Sequence, residues 1–141
     1  KTILANGVQL GGHVSIGYQV TIGGMTPIHQ FCGVGDHAFV GGGYRVVQDV
    51  PPYILAMGEP LKFSGVNNVG LRRRGFSAES RMNIKRAYKK IFYSEVNISQ
   101  AIDLVKSDVE QTEEVQKIIK FMSYEEYPIY LCFVSSGLWS I

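Results

Sequence analysis

The tightest constraint on this chain is a period of six. A branched aliphatic residue returns without a break at Leu4, Leu10, Ile16, Ile22, Ile28, Val34, Val40 and Val46. The fifth place of the same register holds Val8, Val14, Val20, Thr26, Cys32, Ala38, Tyr44 and Val50, and the second place is glycine at Gly11, Gly17, Gly23, Gly35 and Gly41. Six fits neither an amphipathic helix, with apolar spacings of three and four, nor a simple strand, which alternates every two. It fits a repeat of one short strand and one corner. Three hexads close a triangular coil of about eighteen residues, and coils stacked at roughly 4.8 Å pair their backbones with one another. The aliphatics then form one inner column, and glycine relieves crowding where the chain turns.

Composition bounds what surrounds the repeat. A chain of 141 residues with 45% apolar content has room for one ordinary domain or two small ones. The net charge is only +2, yet eight of the fourteen lysines and arginines lie between Arg72 and Lys90, where Glu79 is the one acid. That local excess asks for an acidic partner. Two distant cysteines, one of them Cys32 on an inner place, make no disulfide framework and suit a reducing compartment. No apolar run approaches the roughly eighteen residues of a membrane span, and no charged-then-apolar leader is present, so a cytoplasmic protein without membrane insertion is expected. Because the register is already running at Leu4, the chain is expected to be the C-terminal part of a longer protein.

In order, residues 1–53 are read as coils, ending where Pro51 and Pro52 remove ladder donors. Residues 54–76 read as an extended, glycine-punctuated connection that ends in Arg72-Arg73-Arg74. Residues 77–123 read as a small three-helix domain. Its first helix is capped by Ser77 and buries Ile84, Ala87, Tyr88, Ile91 and Phe92; Arg81, Lys85, Arg86, Lys89 and Lys90 lie opposite. A second helix is expected from Ser99, packing through Ile102, Val105 and Val109, and a third from Thr112, with Glu113 and Glu114 at its N-terminus and Val115, Ile118, Ile119 and Met122 facing in. The tail, 124–141, follows no period, and Tyr130–Val134 suits either a short strand or a packed coil.

The eighteen-residue coil places the histidines. His13 stacks over Phe31, and His29 lies one coil on and two residues off that line, so the two could share a ligand on one outer face or simply be solvated. His37 falls on another face and reads as an ordinary surface residue.

Hexads such as Ile16-Gly17-Tyr18-Gln19-Val20-Thr21 resemble those of the hexapeptide acyltransferases, which implies an α+β chain: a left-handed parallel β-helix, a triangular prism, followed by a small α-helical domain. More specifically, His29-Gln30-Phe31-Cys32, Gly41-Gly42-Gly43, Gln48-Asp49-Val50-Pro51-Pro52-Tyr53 and Gly70-Leu71-Arg72-Arg73-Arg74-Gly75-Phe76 resemble the acyl carrier protein-dependent UDP-N-acetylglucosamine O-acyltransferases of lipid A synthesis, from about Lys1 to Met122. The resemblance implies transfer of a (3-hydroxy)acyl chain from acyl carrier protein to the 3-hydroxyl of UDP-N-acetylglucosamine by a homotrimer, with no cofactor beyond the phosphopantetheine carried by the co-substrate and no metal. Such a transfer needs a base, an oxyanion donor and cations for the pyrophosphate. By resemblance Gly12 supplies the oxyanion N–H, His13, His29 and Gln30 contact substrate, Asn67 lies on the nucleotide side, and Arg73 and Arg74 meet the phosphates, a task guanidinium groups suit. The family's general base is a histidine in the coil preceding Lys1, so this chain alone is expected to be inactive. Phe39, with space at Gly42, falls where the family's acyl-chain ruler lies, or is a plain surface aromatic. The face of Arg81, Lys85, Arg86, Lys89 and Lys90 is either a solvated helix face or the docking face for acyl carrier protein.

Three competitors remain. Another hexapeptide acyltransferase would not explain the arginine-rich segment or the helices after it. A metal-dependent carbonic anhydrase needs three converging histidines, which His13, His29 and His37 do not supply. A truncated, non-catalytic trimeric scaffold that only binds carrier protein fits the missing base. Nucleic acid is disfavoured, because the basic helix lacks the aromatic interleaving that base stacking needs.

Overall fold

The period of six becomes a ladder of two-residue strands. The structure, a computed structural model, describes residues 1–123. Strands β1 (Ile3–Leu4), β2 (Gln9–Leu10), β3 (Ser15–Ile16), β4 (Thr21–Ile22), β5 (Pro27–Ile28), β6 (Gly33–Val34) and β7 (Phe39–Val40) each start six residues after the last. Each pairs in parallel with the strand eighteen residues on, as in Ile3↔Thr21, Gln9↔Pro27, Ser15↔Gly33 and Thr21↔Phe39. Isolated bridges Ile28↔Val46 and Val34↔Val50 carry two of the faces one rung further. The result is a left-handed parallel β-helix. Its inner column is fully buried from Val20 and Ile22 through Cys32, Val40, Val46 and Val50, and Thr26, also fully buried, turns its hydroxyl to Gly41 O at 3.3 Å.

The corners divide the labour differently from the expectation. The left-handed residue at each corner occupies the fourth place of the hexad and is usually not glycine: His13, Gln19, Met25, Phe31 and His37 have φ between 52° and 67°. Most of their N–H groups bond to the coil below, Met25 to Asn6 O, Phe31 to Gly12 O and His37 to Tyr18 O at 2.8–2.9 Å, so the inter-coil ladder continues through the corners and offsets roughly 1–2 kcal/mol of left-handed strain apiece. The second-place glycines answer to close approach instead. A Cβ on Gly11, Gly23 or Gly35 would lie 2.3–2.5 Å from a backbone nitrogen of the next coil.

Pro51 and Pro52 do not stop the coil. Pro52 takes the corner place of Tyr18 and Asp36, its nitrogen set against Gly35 as Asp36 N is set against Gly17, and Tyr53 follows as another left-handed corner residue with its N–H on Asp36 O at 2.8 Å. Segment 54–76 is therefore not a plain extended connection. Strand β8 (Ile54–Met57) continues the face of β1, β4 and β7 in parallel, Phe39 opposite Leu55; β9 (Lys62–Val66) folds back antiparallel on β8, and α1 (Asn68–Arg73) begins after it.

The chain divides into two compact units after Asn67. The second unit packs α1, α2 (Ala78–Tyr93), α3 (Ile98–Asp108) and α4 (Glu113–Met122) through Leu71, Ile84, Ala87, Tyr88, Ile91, Ala101, Ile102, Val105, Val115, Ile118 and Ile119. Ser77 caps α2 by accepting from Ser80 N, and Thr112 caps α4 by accepting from Val115 N. The start expected at Ser99 is corrected: Asn97 caps α3 in a capping box, its side chain accepting from Gln100 N while Gln100 accepts from Asn97 N. Asn97→Ala removes the side-chain half of that exchange, the acceptor for Gln100 N, and should cost about 1 kcal/mol in urea unfolding, whereas Ser99→Ala should be neutral. Tyr130–Val134 and the rest of the tail lie outside the described residues.

Candidate active site

The corner between the β2/β5 face and the β3/β6 face gathers Gly12, His13, His29, Gln30 and Phe31 from adjacent coils. Gly12 stands apart from the other second- and third-place glycines of the coils. A Cβ there would meet nothing within 4 Å, its φ is not left-handed, and its N–H donates to no group among the described residues. Neither packing nor conformation requires glycine at this place. Beside it the His13 ring lies flat on Phe31, centroids 5.0 Å apart and planes within 2°. His29 is held by its own N–H on Val46 O at 2.8 Å, and its ring Nδ1 faces Gln30 O at 3.1 Å. A carbonyl only accepts, so Nδ1 carries the proton of the neutral ring and Nε2 keeps the lone pair. The corner thus offers an open backbone donor, an imidazole clamped on an aromatic ring, and a second imidazole with an oriented acceptor.

His37 is not a surface residue. It is 8% exposed, stacked on Tyr53 at 5.7 Å and met edge-on by Tyr18 at 5.8 Å. Asn67 is also buried, with Nδ2 donating to His37 O at 3.0 Å and N–H to Tyr53 O at 2.7 Å, so it closes this aromatic corner. Phe39 is half-buried in an outward row with Thr21 and Leu55. The space expected at Gly42 is close approach: a Cβ there would lie 3.1 Å from Gly24 O.

The three arginines lie on α1 and the turn after it. Arg72 and Arg73 are exposed; Arg74 is half-buried, with Nη1 shut from water and lacking a hydrogen-bond partner among the described residues. Burial lowers its pKa, the mark of a guanidinium partly stripped of water. On α2, Lys85 and Lys89 are exposed without a described partner, while Arg81 donates Nη1 to Asn68 Oδ1 at 2.7 Å. Arg86 donates to Asn83 Oδ1 at 3.1 Å, and Lys90 Nζ meets Asp108 Oδ2 at 3.1 Å.

Two carboxylates that sequence reasoning passed over stitch the coils together. Asp36 Oδ1 accepts from Tyr18 N and Asp49 Oδ1 from Gly33 N, each at 2.7 Å. Burial raises the pKa of Asp49 and outweighs the lowering by the Gly33 N–H. The folded value lies above the unfolded one, so this group favours the fold most below about pH 4 and that contribution is lost as pH rises through the folded pKa. Asp49→Asn keeps an acceptor for Gly33 N. It should melt higher than the parent at pH 7, with the gap closing towards pH 4; equal melting temperatures at pH 7 would count against a buried, ionised Asp49.

Coils stacked as a left-handed prism, a helical unit after them and an open glycine corner define the hexapeptide-repeat class. A family model described as UDP N-acetylglucosamine O-acyltransferase, domain 2, matches residues 49–129, and the chain belongs to that family. The acyl-[acyl-carrier-protein]--UDP-N-acetylglucosamine O-acyltransferase of Thiobacillus denitrificans is 39% identical over 126 residues, 89% of this chain and 49% of the relative. That of Herminiimonas arsenicoxydans is 46% identical over 99 residues, 70% of this chain and 38% of the relative. Among solved structures, LpxA from Acinetobacter baumannii superposes with TM-score 0.83 at 39% identity, covering 87% of this chain and 48% of its own. The Arabidopsis UDP-N-acetylglucosamine acyltransferase superposes with TM-score 0.80 at 34% identity, covering 84% of this chain and 43% of its own. The chain spans about half the length of the curated relatives it matches, or less. Among the described residues no helix is long and apolar enough to cross a membrane.

Proposed function

We propose that this chain carries part of the site of an acyltransferase that moves a (3-hydroxy)acyl group from the thioester of acyl carrier protein to the 3-hydroxyl of UDP-N-acetylglucosamine, the first step of lipid A synthesis, in the cytoplasm and as a homotrimer. The observation that carries the reading is Gly12: a glycine with an unused N–H and open space, beside two oriented histidines. An unused N–H bordering such space can stabilise the oxyanion as the sugar oxygen adds to the thioester carbonyl. The carbon–sulfur bond then breaks, the carrier's thiol leaves, and the hydroxyl proton passes to a base. The lone pair on His29 Nε2 accepts from a sugar hydroxyl, with His13 and Gln30 beside it. Asn67, Arg73 and Arg74 serve the nucleotide and its phosphates, and Phe39 with Gly42 bounds the acyl chain.

In this reading His13 and His29 bind, and the base lies in the relatives' preceding coil. The 141-residue chain alone should give no turnover with acyl carrier protein and UDP-N-acetylglucosamine, and turnover would overturn the assignment of the base. Fusion behind the preceding coils of the Acinetobacter baumannii relative should produce transfer that His29→Ala lowers by about a hundredfold. A fusion that folds but fails to transfer, or that ignores His29→Ala, would reject the site.

A further inference from the structure

Arg81 differs from the exposed lysines of its helix. Its side chain is half-buried and reaches across to α1: Nη1 donates to Asn68 Oδ1 at 2.7 Å, and Nε is shut from water with no hydrogen-bond partner among the described residues. An apolar side chain would fill the same space without leaving a buried donor open, so what arginine adds at this place is the bond to Asn68. The far end of that bond is the first residue of α1, and the near end is fixed. Ser77 caps α2 through Ser80 N, and Arg81 N–H bonds Ser77 O at 3.1 Å in the first turn.

A helix of six residues does not hold itself in place, because isolated helices shorter than about 12 residues are marginal in water. Leu71, which has no exposed surface, is the one buried side chain of α1 and anchors it at one point. The arginines at its other end move with it. Arg74 N–H bonds Gly70 O and Leu71 O, Gly75 N–H bonds Arg72 O, and Phe76 N–H bonds Leu71 O, each at 3.1 Å. A body anchored at one point can still turn about it. A guanidinium standing roughly 6 Å from the helix axis is carried about 1 Å by a turn of roughly 10°, enough to spoil a charge-assisted hydrogen bond.

We infer that Arg81 is a positioning residue: through Asn68 it supplies the second anchor of α1 and so sets where Arg73 and Arg74 stand when they meet the phosphates of the nucleotide sugar. This rests on the reading of those two arginines as phosphate ligands. Arg81 touches no substrate in this role, and its charge is incidental to it.

The test is calorimetric titration of UDP-N-acetylglucosamine and of uridine into the full 141-residue chain. Arg81→Met and Asn68→Ala should each weaken UDP-N-acetylglucosamine about five- to tenfold and leave uridine unchanged, and the double variant should be no weaker than the weaker single, because both substitutions break one bond. Asn68→Ala alters no charge, so its effect is one of position. Loss of the fold would lower uridine binding as well, and a fall in both ligands would mark the pair as merely structural. If Arg81→Met alone weakens binding, or if the two losses multiply in the double variant, Arg81 acts through its charge and positioning is overturned. If neither variant weakens binding while Arg73→Ala does, positioning is rejected and the phosphate reading stands. If Arg73→Ala binds like the parent, or the parent does not bind UDP-N-acetylglucosamine more tightly than uridine, the phosphate reading fails and this role falls with it.

Discussion

Gly11→Ala is expected to lower stability by about 3 kcal/mol, a fall in melting temperature of roughly 10 °C or more, while Gly12→Ala is expected to melt like the parent. The two glycines are neighbours and neither has a left-handed φ, so alanine's conformational preferences treat them alike. Only their surroundings differ. A Cβ on Gly11 would sit 2.4 Å from Gln30 N, 2.8 Å from Gln30 Cα and 3.0 Å from His29 C, all backbone of the next coil, which cannot give way without opening the ladder. A Cβ on Gly12 would meet nothing. The functional consequences run the other way. In a fusion carrying the relatives' preceding coils, Gly12→Ala should fold normally and lose about a hundredfold in transfer, because the methyl group fills the space a thioester carbonyl would need. Thermal melts and a transfer assay on the same two proteins decide it. Equal melting temperatures would refute the close-approach account of Gly11, and unimpaired transfer by Gly12→Ala would remove the oxyanion role.

The inner column was legible because it is a local rule repeated at every rung: six residues per strand and corner, eighteen per coil. From it followed the pairing of Thr21 with Ile3 and Phe39 and the stacking of His13 on Phe31. Helix starts with a single capping side chain, Ser77 and Thr112, were equally plain. Asn97 was not, since Ser99 offers a similar hydroxyl and only the return bond from Gln100 separates the two.

The misreadings of the proline pair, His37 and the basic helix share one cause, contacts made across the sequence rather than along it. The proline pair looks like the end of a coil until Pro52 is seen to fill the corner place of Tyr18 and Asp36, with the ladder resuming at the Tyr53 N–H. With the coil ended there, Tyr53 could not be set against His37, and a buried histidine passed for an exposed one. The acids facing α2 come from the far end of α3 and beyond, 18 residues from Lys90 to Asp108 and 27 from Asn83 to Glu110. Charge counting along α2 therefore gave five equivalent cations where the fold distinguishes bound from free. Resemblance supplied the roles of Gly12, Arg73 and Arg74; the fold supplies an independent physical reason for attention at Gly12 and Arg74, but not at Arg73.

Arg74→Met should make the unliganded chain slightly more stable and at the same time abolish most of its affinity for UDP-N-acetylglucosamine. Nη1 of Arg74 is shut from water with no described hydrogen-bond partner, a state that costs about 1–3 kcal/mol for a fully buried donor and less here because the rest of the guanidinium is only half-buried. Methionine removes the open donor while keeping an apolar stem of similar reach, so a gain of roughly 0.5 kcal/mol in urea unfolding is expected. For a phosphate the half-exposed guanidinium is an advantage, because the donors of Arg74 other than Nη1 can form charge-assisted bonds to phosphate oxygens, and their loss should weaken binding by about tenfold or more, 1.4 kcal/mol per decade. Arg74→Lys should not rescue it, because an ammonium group cannot present the planar, paired donors of the guanidinium. Calorimetric titration of UDP-N-acetylglucosamine, with uridine as the phosphate-free control, reads affinity, and urea melts read stability. A variant that loses both would mark Arg74 as a structural arginine, and one that loses neither would take the phosphates elsewhere; only opposite signs in the two measurements fit a guanidinium kept half-buried for a ligand.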